Sequence, residues 1–444
     1  MTLIARPAAA LSIDCGTGMV SGQLNTFLQA NPGTSVQVTG TCFGNVSVPA
    51  NTALTATSLG GTEILGQITA QGRNISLFGF LLDGTQFVNT PLVVVPDNTD
   101  MTLSSVTIQN ASCSNTGTNP QGAILVLNGG VLFMTGGTII GTNGISGHPC
   151  PPIHATGNSF ISLSGVAING NNGGVQVGEI RVVESRANLS GVQILNSDEP
   201  AVDAIQSDVR ISGGNITGFS NNAAGVTDAP TIALSNSSLT LFSSAVLVGS
   251  NRGNVIYAMP GSTVKLAGSS VTSNDATDAT ILAGAGSALF SIGGNTISNS
   301  VTNGTAISLL DASTFRQQNE AVFGSPVAGD AITGNGSIQI ESSMELGTGT
   351  ATPTSWTGNI TVAQNSALRM DGGITVTGQV KLTQGSNGFF NVANTGQNIV
   401  TGSVLCPFTT NPAAHIAGPA AVLLTMSGAS AVATPTATNN CLAF

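Results

Sequence analysis

A short motif recurs along most of the chain and leaves it few folds to adopt. It reads apolar, any residue, apolar, a small pair, two residues and a third apolar position, followed by a polar Gly/Asn/Ser cluster. The clearest copies are Ile75/Leu77/Leu82, Met101/Leu103/Ile108, Leu132/Met134/Ile139, Ile161/Leu163/Ile168 and Ala187/Leu189/Ile194. They continue as Val209/Ile211/Ile216, Leu239/Leu241/Val246, Val264/Leu266/Val271 and Phe290/Ile292/Ile297. The second residue after each middle position is always small: Gly79, Ser105, Gly136, Gly165, Gly191, Gly213, Ser243, Gly268 and Gly294. Alternation over three to five residues makes short strands with one buried face. A small residue at a fixed place marks a bend where a Cβ would crowd the next layer. Each unit also holds a strand upstream, such as Ile124–Leu127, Val202–Ile205 or Ile232–Leu234. Three strands per turn without intervening helices describe a solenoid, since no single unit could bury its apolar face alone.

Composition narrows the classes further. Only 7% of the 444 residues are charged, far below the quarter usual in soluble domains. Apolar residues make up 41%, which excludes a disordered chain. No apolar run is long enough to span a bilayer as a helix. A formal charge of −10 with ten scattered basic residues excludes a phosphate-backbone binder, so no nucleic-acid partner is expected.

At these residues the chain resembles the right-handed parallel β-helix superfamily of secreted and cell-surface proteins, the pectate-lyase-like group. The resemblance covers residues 34–400. It rests on the repeat and on an opening formed by Ile13-Asp14-Cys15-Gly16, an amphipathic segment and the alternating stretch from Val36 to Val48. It implies an all-β, right-handed parallel β-helix with three short strands per coil. It does not fix an activity, because the superfamily includes lyases, hydrolases, adhesins and passive spacers.

The ends need closing, because an open strand edge recruits other chains. Val20, Leu24, Phe27 and Leu28 form one helical stripe that Pro32-Gly33 terminates, so residues 13–33 are expected to supply an N-terminal capping helix. Residues 1–12 end in the small residues that precede a signal cleavage site and are expected to be the remnant of an export signal. Residues 401–444 are expected to form a C-terminal cap or tail. The six cysteines show no metal-ligand spacing and only three histidines accompany them, so no metal and no cofactor is expected. Disulfides Cys15–Cys42, Cys113–Cys150 and Cys406–Cys441 are expected instead, in a secreted or cell-surface protein. Cys113 and Cys150 occupy the same kind of turn in successive coils, so the middle bridge would tie one protruding flap together.

Chemistry, if present, is concentrated. Eleven of the 33 titratable residues lie between 148 and 210. In the upstream strands Ile153-His154, Ile180-Arg181, Val202-Asp203 and Ile256-Tyr257 share a register. With the aliphatic residue inward, His154, Arg181 and Asp203 should form an outward ladder. In β-helix enzymes that cut polyuronic acids such a row lines a groove, so these three are the candidate catalytic residues of a lyase or hydrolase. His148, Glu184, Asp198, Glu199 and Tyr257 are candidate binding residues, with Asp198, Glu199 and Asp203 the carboxylates nearest to an acid/base arrangement. Against catalysis, the ladder also reads as an ordinary ion-pair row, and the Gly-His-Gly and Arg-Ile-Lys elements of polygalacturonases are missing. The expectation is therefore a non-catalytic surface or extracellular adhesive or structural module that takes a glycan or cell-surface polymer as partner and allows homo-oligomers. The enzyme centred on His154, Arg181 and Asp203 is the alternative.

Overall fold

Each repeat passes through three short strands, and each strand lies parallel to its counterpart in the next repeat. The computed structural model describes residues 10–318 except 17–19, 87–89, 114–121, 145–150, 170–177, 196–199, 219–229, 244, 250–252, 276–277, 293, 302–303 and 311. Beyond 318 it describes 331–340, 343–347, 354–362, 366–371, 374–382, 387–391, 399–400, 404–405, 423–427, 431–432 and 442–443. The chain divides into two compact units, Met1–Asp203 and Ala204–Phe444. Both are parallel β-solenoid, and the only α-helix among the described residues is near the N-terminus.

In the first unit one turn runs through Val93–Val95, Asp100–Ser104 and Thr107–Gln109. The next runs through Ile124–Leu127, Val131–Thr135 and Thr138–Ile140. These three positions build an upstream, a middle and a downstream sheet. Their inward residues form continuous columns: Ile124, Ile153 and Ile180 in the upstream sheet, and Leu132, Ile161 and Ala187 in the middle one. Ile139, Ile168 and Ile194 do the same downstream. All nine are fully buried. A buried Leu or Ile contributes roughly 1.5–3 kcal/mol, but only while a neighbouring turn covers it.

The second unit repeats this with two differences from the sequence pattern. Ile216 lies opposite Leu247, so Leu247 and not Val246 takes the inward place. Val264 and Leu266 lie opposite Leu289 and Ser291, so Phe290 falls in the outward row, while Ile292 is buried but outside the expected alternation. Both strands carry apolar residues on both faces, and alternation alone then leaves the choice of inward face open. The bonded neighbour decides it.

The nine small residues serve a different end from the one expected. All nine adopt positive φ, from 51° at Ser105 to 79° at Gly79. A Cβ at Gly165 or Gly268 would meet nothing within 4 Å. Crowding is therefore not the general reason; the left-handed backbone is, and Ser105 and Ser243 adopt it despite their side chains.

A second left-handed corner precedes the middle sheet. It is taken by Asn98, Asn158 and Glu184 in the first unit, and by Gln206, Asn236 and Ala312 in the second. The next residue is a buried Ser or Thr. In the second unit, Ser207 N–H donates to Ser237 Oγ at 3.0 Å and Ser237 N–H to Ser262 Oγ at 3.3 Å. Ser237 Oγ in turn donates to the Ser235 carbonyl at 2.8 Å. These hydroxyls satisfy corner amides that water does not reach.

At the start, Leu11–Asp14 pairs with Ser35–Thr39. Between them runs the helix Gln23–Ala30, with Leu24 and Leu28 buried and Val20 exposed outside it. Gln29 Nε2 donates to the Ser47 carbonyl at 2.8 Å, and Ser47 N–H donates to Asn25 Oδ1 at 2.9 Å. Cys15 and Cys42 form a disulfide across 27 residues, with Cα atoms 5.1 Å apart. Cys150, Cys406, Cys441 and the Cys113 side chain lie outside the described residues, although the backbone of Ser112–Cys113 pairs with Asn143–Gly144.

Ser237→Ala should lower unfolding free energy by about 1–3 kcal/mol, because it leaves a buried amide without its acceptor. Urea denaturation against the exposed Ser190→Ala control measures it; equal midpoints would count against the hydroxyl ladder.

Candidate functional site

The register does bring part of the candidate row together. Ile153–Thr156 and Ile180–Val183 pair in parallel with His154 directly opposite Arg181. Arg181 Nε lies 3.7 Å from Asp203 Oδ2, and both side chains are largely covered, 26% and 16% exposed. Parallel pairing thus joins residues 22 and 27 positions apart in sequence.

The row is not an open ladder. His154 is 0% exposed, although alternation places it on the outward side. Two glycines approach these strands closely. A Cβ at Gly122 would stand 3.2 Å from the His154 Cβ, and one at Gly178 would stand 2.9 Å from the Asp203 Cβ. The same column continues through Leu125 and Val94, so His154 has an aliphatic neighbour on one side and a guanidinium on the other. A general base needs hydrogen-bond reach to its substrate proton, and a fully buried imidazole lacks it in this conformation.

Burial raises the Asp203 carboxyl above its ordinary value, and the Arg181 charge offsets that only in part. A carboxyl raised by folding contributes stability while protonated and loses it as pH rises through its folded pKa. Asp203 therefore favours the folded state least near neutrality.

Of the remaining candidates, Glu184 is exposed and occupies one of the left-handed corners, φ 49°. Its carbonyl accepts the Asn158 amide at 2.7 Å, which gives its position a structural task. Tyr257 is half-buried in the second unit, opposite Ala233 and Leu282. His148, Asp198 and Glu199 lie outside the described residues.

Two acidic side chains escaped the sequence reading. Asp83 accepts the Thr85 amide at 2.8 Å, the Thr85 hydroxyl, Gln109 Nε2 at 2.7 Å and Asn110 Nδ2 at 3.2 Å. Burial pushes its carboxyl up, but these donors outweigh burial and hold it below the ordinary value. Asp275, 2% exposed, accepts the Gly253 amide at 2.6 Å and the Asp278 amide at 3.2 Å. Both carboxylates organise backbone turns. An Asp followed by Thr two residues later is a turn signal, and that was the available clue for Asp83. Among the described residues no group of three or more His, Cys, Asp or Glu is placed to hold a metal ion. No helix there is long and apolar enough to cross a membrane.

No family model and no curated protein matches the chain.

The two carboxylates should respond oppositely to acid. As pH rises from 3.8 toward neutrality, Asp203→Asn should remove a loss of stability seen in the parent. Asp83→Asn should remove a gain, since its lowered carboxyl stabilises the fold when ionised. Urea midpoints across that range measure both; parallel pH profiles in parent and variants would refute the assignments.

Proposed function

We propose that the protein is an exported, non-catalytic β-helix module of the cell surface or extracellular space, adhesive or structural in role and able to bind glycans. The burial of His154 carries this reading: the one imidazole in the candidate row is withheld from any substrate. The Cys15–Cys42 disulfide supports an oxidising compartment. The low charge and polar outward positions, such as Thr102, Ser162 and Asn188, favour hydrogen bonding to neutral polymer surfaces or to further copies of the chain. The net negative charge argues against nucleic acid as partner.

A polysaccharide lyase or hydrolase acting through His154, Arg181 and Asp203 is the second reading. One observation favours it: a carboxyl raised by burial beside a guanidinium is the kind of perturbed group that active sites use. Against it stands the full burial of His154.

Incubation with polygalacturonate, alginate and neutral glucans should release neither unsaturated products nor new reducing ends. Product formation abolished by His154→Ala or Asp203→Asn would overturn the non-catalytic reading and install the enzyme.

A further inference from the structure

Four successive turns of the first unit present an apolar centre outward, with opposite charges at its two ends. The middle strands Asp100–Ser104, Val131–Thr135, Phe160–Ser164 and Arg186–Ser190 pair in register. Their first outward positions form the column Asp100, Val131, Phe160 and Arg186. The second column is Thr102, Phe133, Ser162 and Asn188, and the third is entirely Ser and Thr. Phe133 and Phe160 meet edge to face, with ring centroids 6.0 Å apart. Phe133 is nevertheless 42% exposed, and Val131 and Phe160 are half-buried. Apolar groups gathered in this way on an outward face mark a contact surface.

The charges say what the surface contacts. Asp100 accepts the Asn74 amide through Oδ2 at 2.6 Å, which leaves Oδ1 for a partner. Arg186 is exposed and joins neither ion pair found among the described residues. Three strand spacings, about 14 Å, separate the two. Consider a second copy laid over this face by a two-fold axis parallel to the strands, between the levels of Val131 and Phe160. That operation reverses the order of the turns and keeps each column over itself. Asp100 of one copy then faces Arg186 of the other, at both ends, and Val131 faces Phe160. Phe133 faces Ser162, Thr102 faces Asn188, and the Ser/Thr column meets its own kind. No like charges are opposed within the three columns.

We propose that this face docks a second copy of the chain as an isologous, antiparallel dimer, with Val131, Phe133 and Phe160 at its centre and reciprocal Asp100–Arg186 pairs at its ends. A two-fold contact requires a self-complementary patch, and a column with a carboxylate at one end and a guanidinium at the other is self-complementary. Aromatic side chains and Arg are also the residues that interfaces favour. A neutral glycan would use the rings but gives no role to the opposed charges. The inference takes up the self-association in the reading above and depends on neither export nor glycan binding.

Sedimentation velocity of the full chain at rising concentration tests it. A footprint of four turns is small, so the parent should dimerise weakly and reversibly, on the order of 100 μM. Phe133→Ser/Phe160→Ser should weaken the dimer about tenfold or more. Val20→Ser, which removes an exposed apolar side chain elsewhere, should leave it unchanged. Asp100→Arg and Arg186→Asp should each weaken it by opposing like charges. Mixing these two variants joins an all-basic column to an all-acidic one and should restore a dimer that neither forms alone, a result that a folding defect does not produce. A parent that stays monomeric overturns the proposal, and a monomeric parent that binds dextran through Phe133 and Phe160 gives the face to a glycan instead. Undiminished dimerisation in the serine pair overturns this face and leaves self-association standing. So does the lack of a mixed dimer between charge variants whose unfolding midpoints match the parent.

Discussion

Parallel hydrogen bonding between equivalent strands of successive turns is the constraint from which the rest follows. Each strand between its neighbours bonds above and below, so a register set once is copied to the next turn. Ile124, Ile153 and Ile180 illustrate the consequence. They belong to different repeats, yet they form one apolar column that no turn could make alone. A slip of one residue would move every inward aliphatic to the outward side. The hydrophobic columns and the backbone ladder therefore fix each other.

This coupling explains what could be read from the chain and what could not. Leu163, Ala187 and Leu189 alternate cleanly with polar neighbours, and their inward placement follows from the residues themselves. Val246-Leu247-Val248 and Leu289-Phe290-Ser291-Ile292 carry apolar groups on both faces, and only the adjacent turn determines which side is buried. The recurring glycines marked bends correctly, but their reason is a dihedral angle that spacing does not reveal. Glu184 and Gln206 hide best. Neither residue type advertises a left-handed corner, so the corner Glu184 shares with Asn158 in the first unit, and Gln206 with Asn236 in the second, emerges only once the turns of each unit are stacked. His154 is the clearest limit. Alternation assigned its side of the strand, whereas its full burial is a tertiary fact without local signature.

Charge follows a comparable logic. With so few ionisable groups, each one is informative, but its environment decides its meaning. Arg181 and Asp203 are mostly covered, so their mutual attraction works against desolvation, and burial still raises the carboxyl. Asp83 is covered as well, yet four donors surround its oxygens and hold its carboxyl below the ordinary value. Hydrogen bonds tip the balance at Asp83: a covered carboxylate with its lone pairs satisfied is a strut, and one facing a single offset guanidinium is raised by its burial.

The solenoid also separates what stabilises the fold from what meets a partner. Inward columns are bound by packing and admit little variation, whereas outward columns have no packing duty and repeat at the spacing of the strands. A single catalytic centre makes poor use of such a surface, since it requires a concave enclosure that excludes water around a few converging groups. A polymer makes good use of it, because weak contacts at a regular interval add along the ligand's length. In the second unit the cations Arg210, Lys265, Arg316 and Arg369 have that regularity, and the largely covered pair Arg181 and Asp203 of the first unit does not. Surface periodicity inherited from the backbone, more than any local motif, is thus the feature on which recognition by this chain would depend.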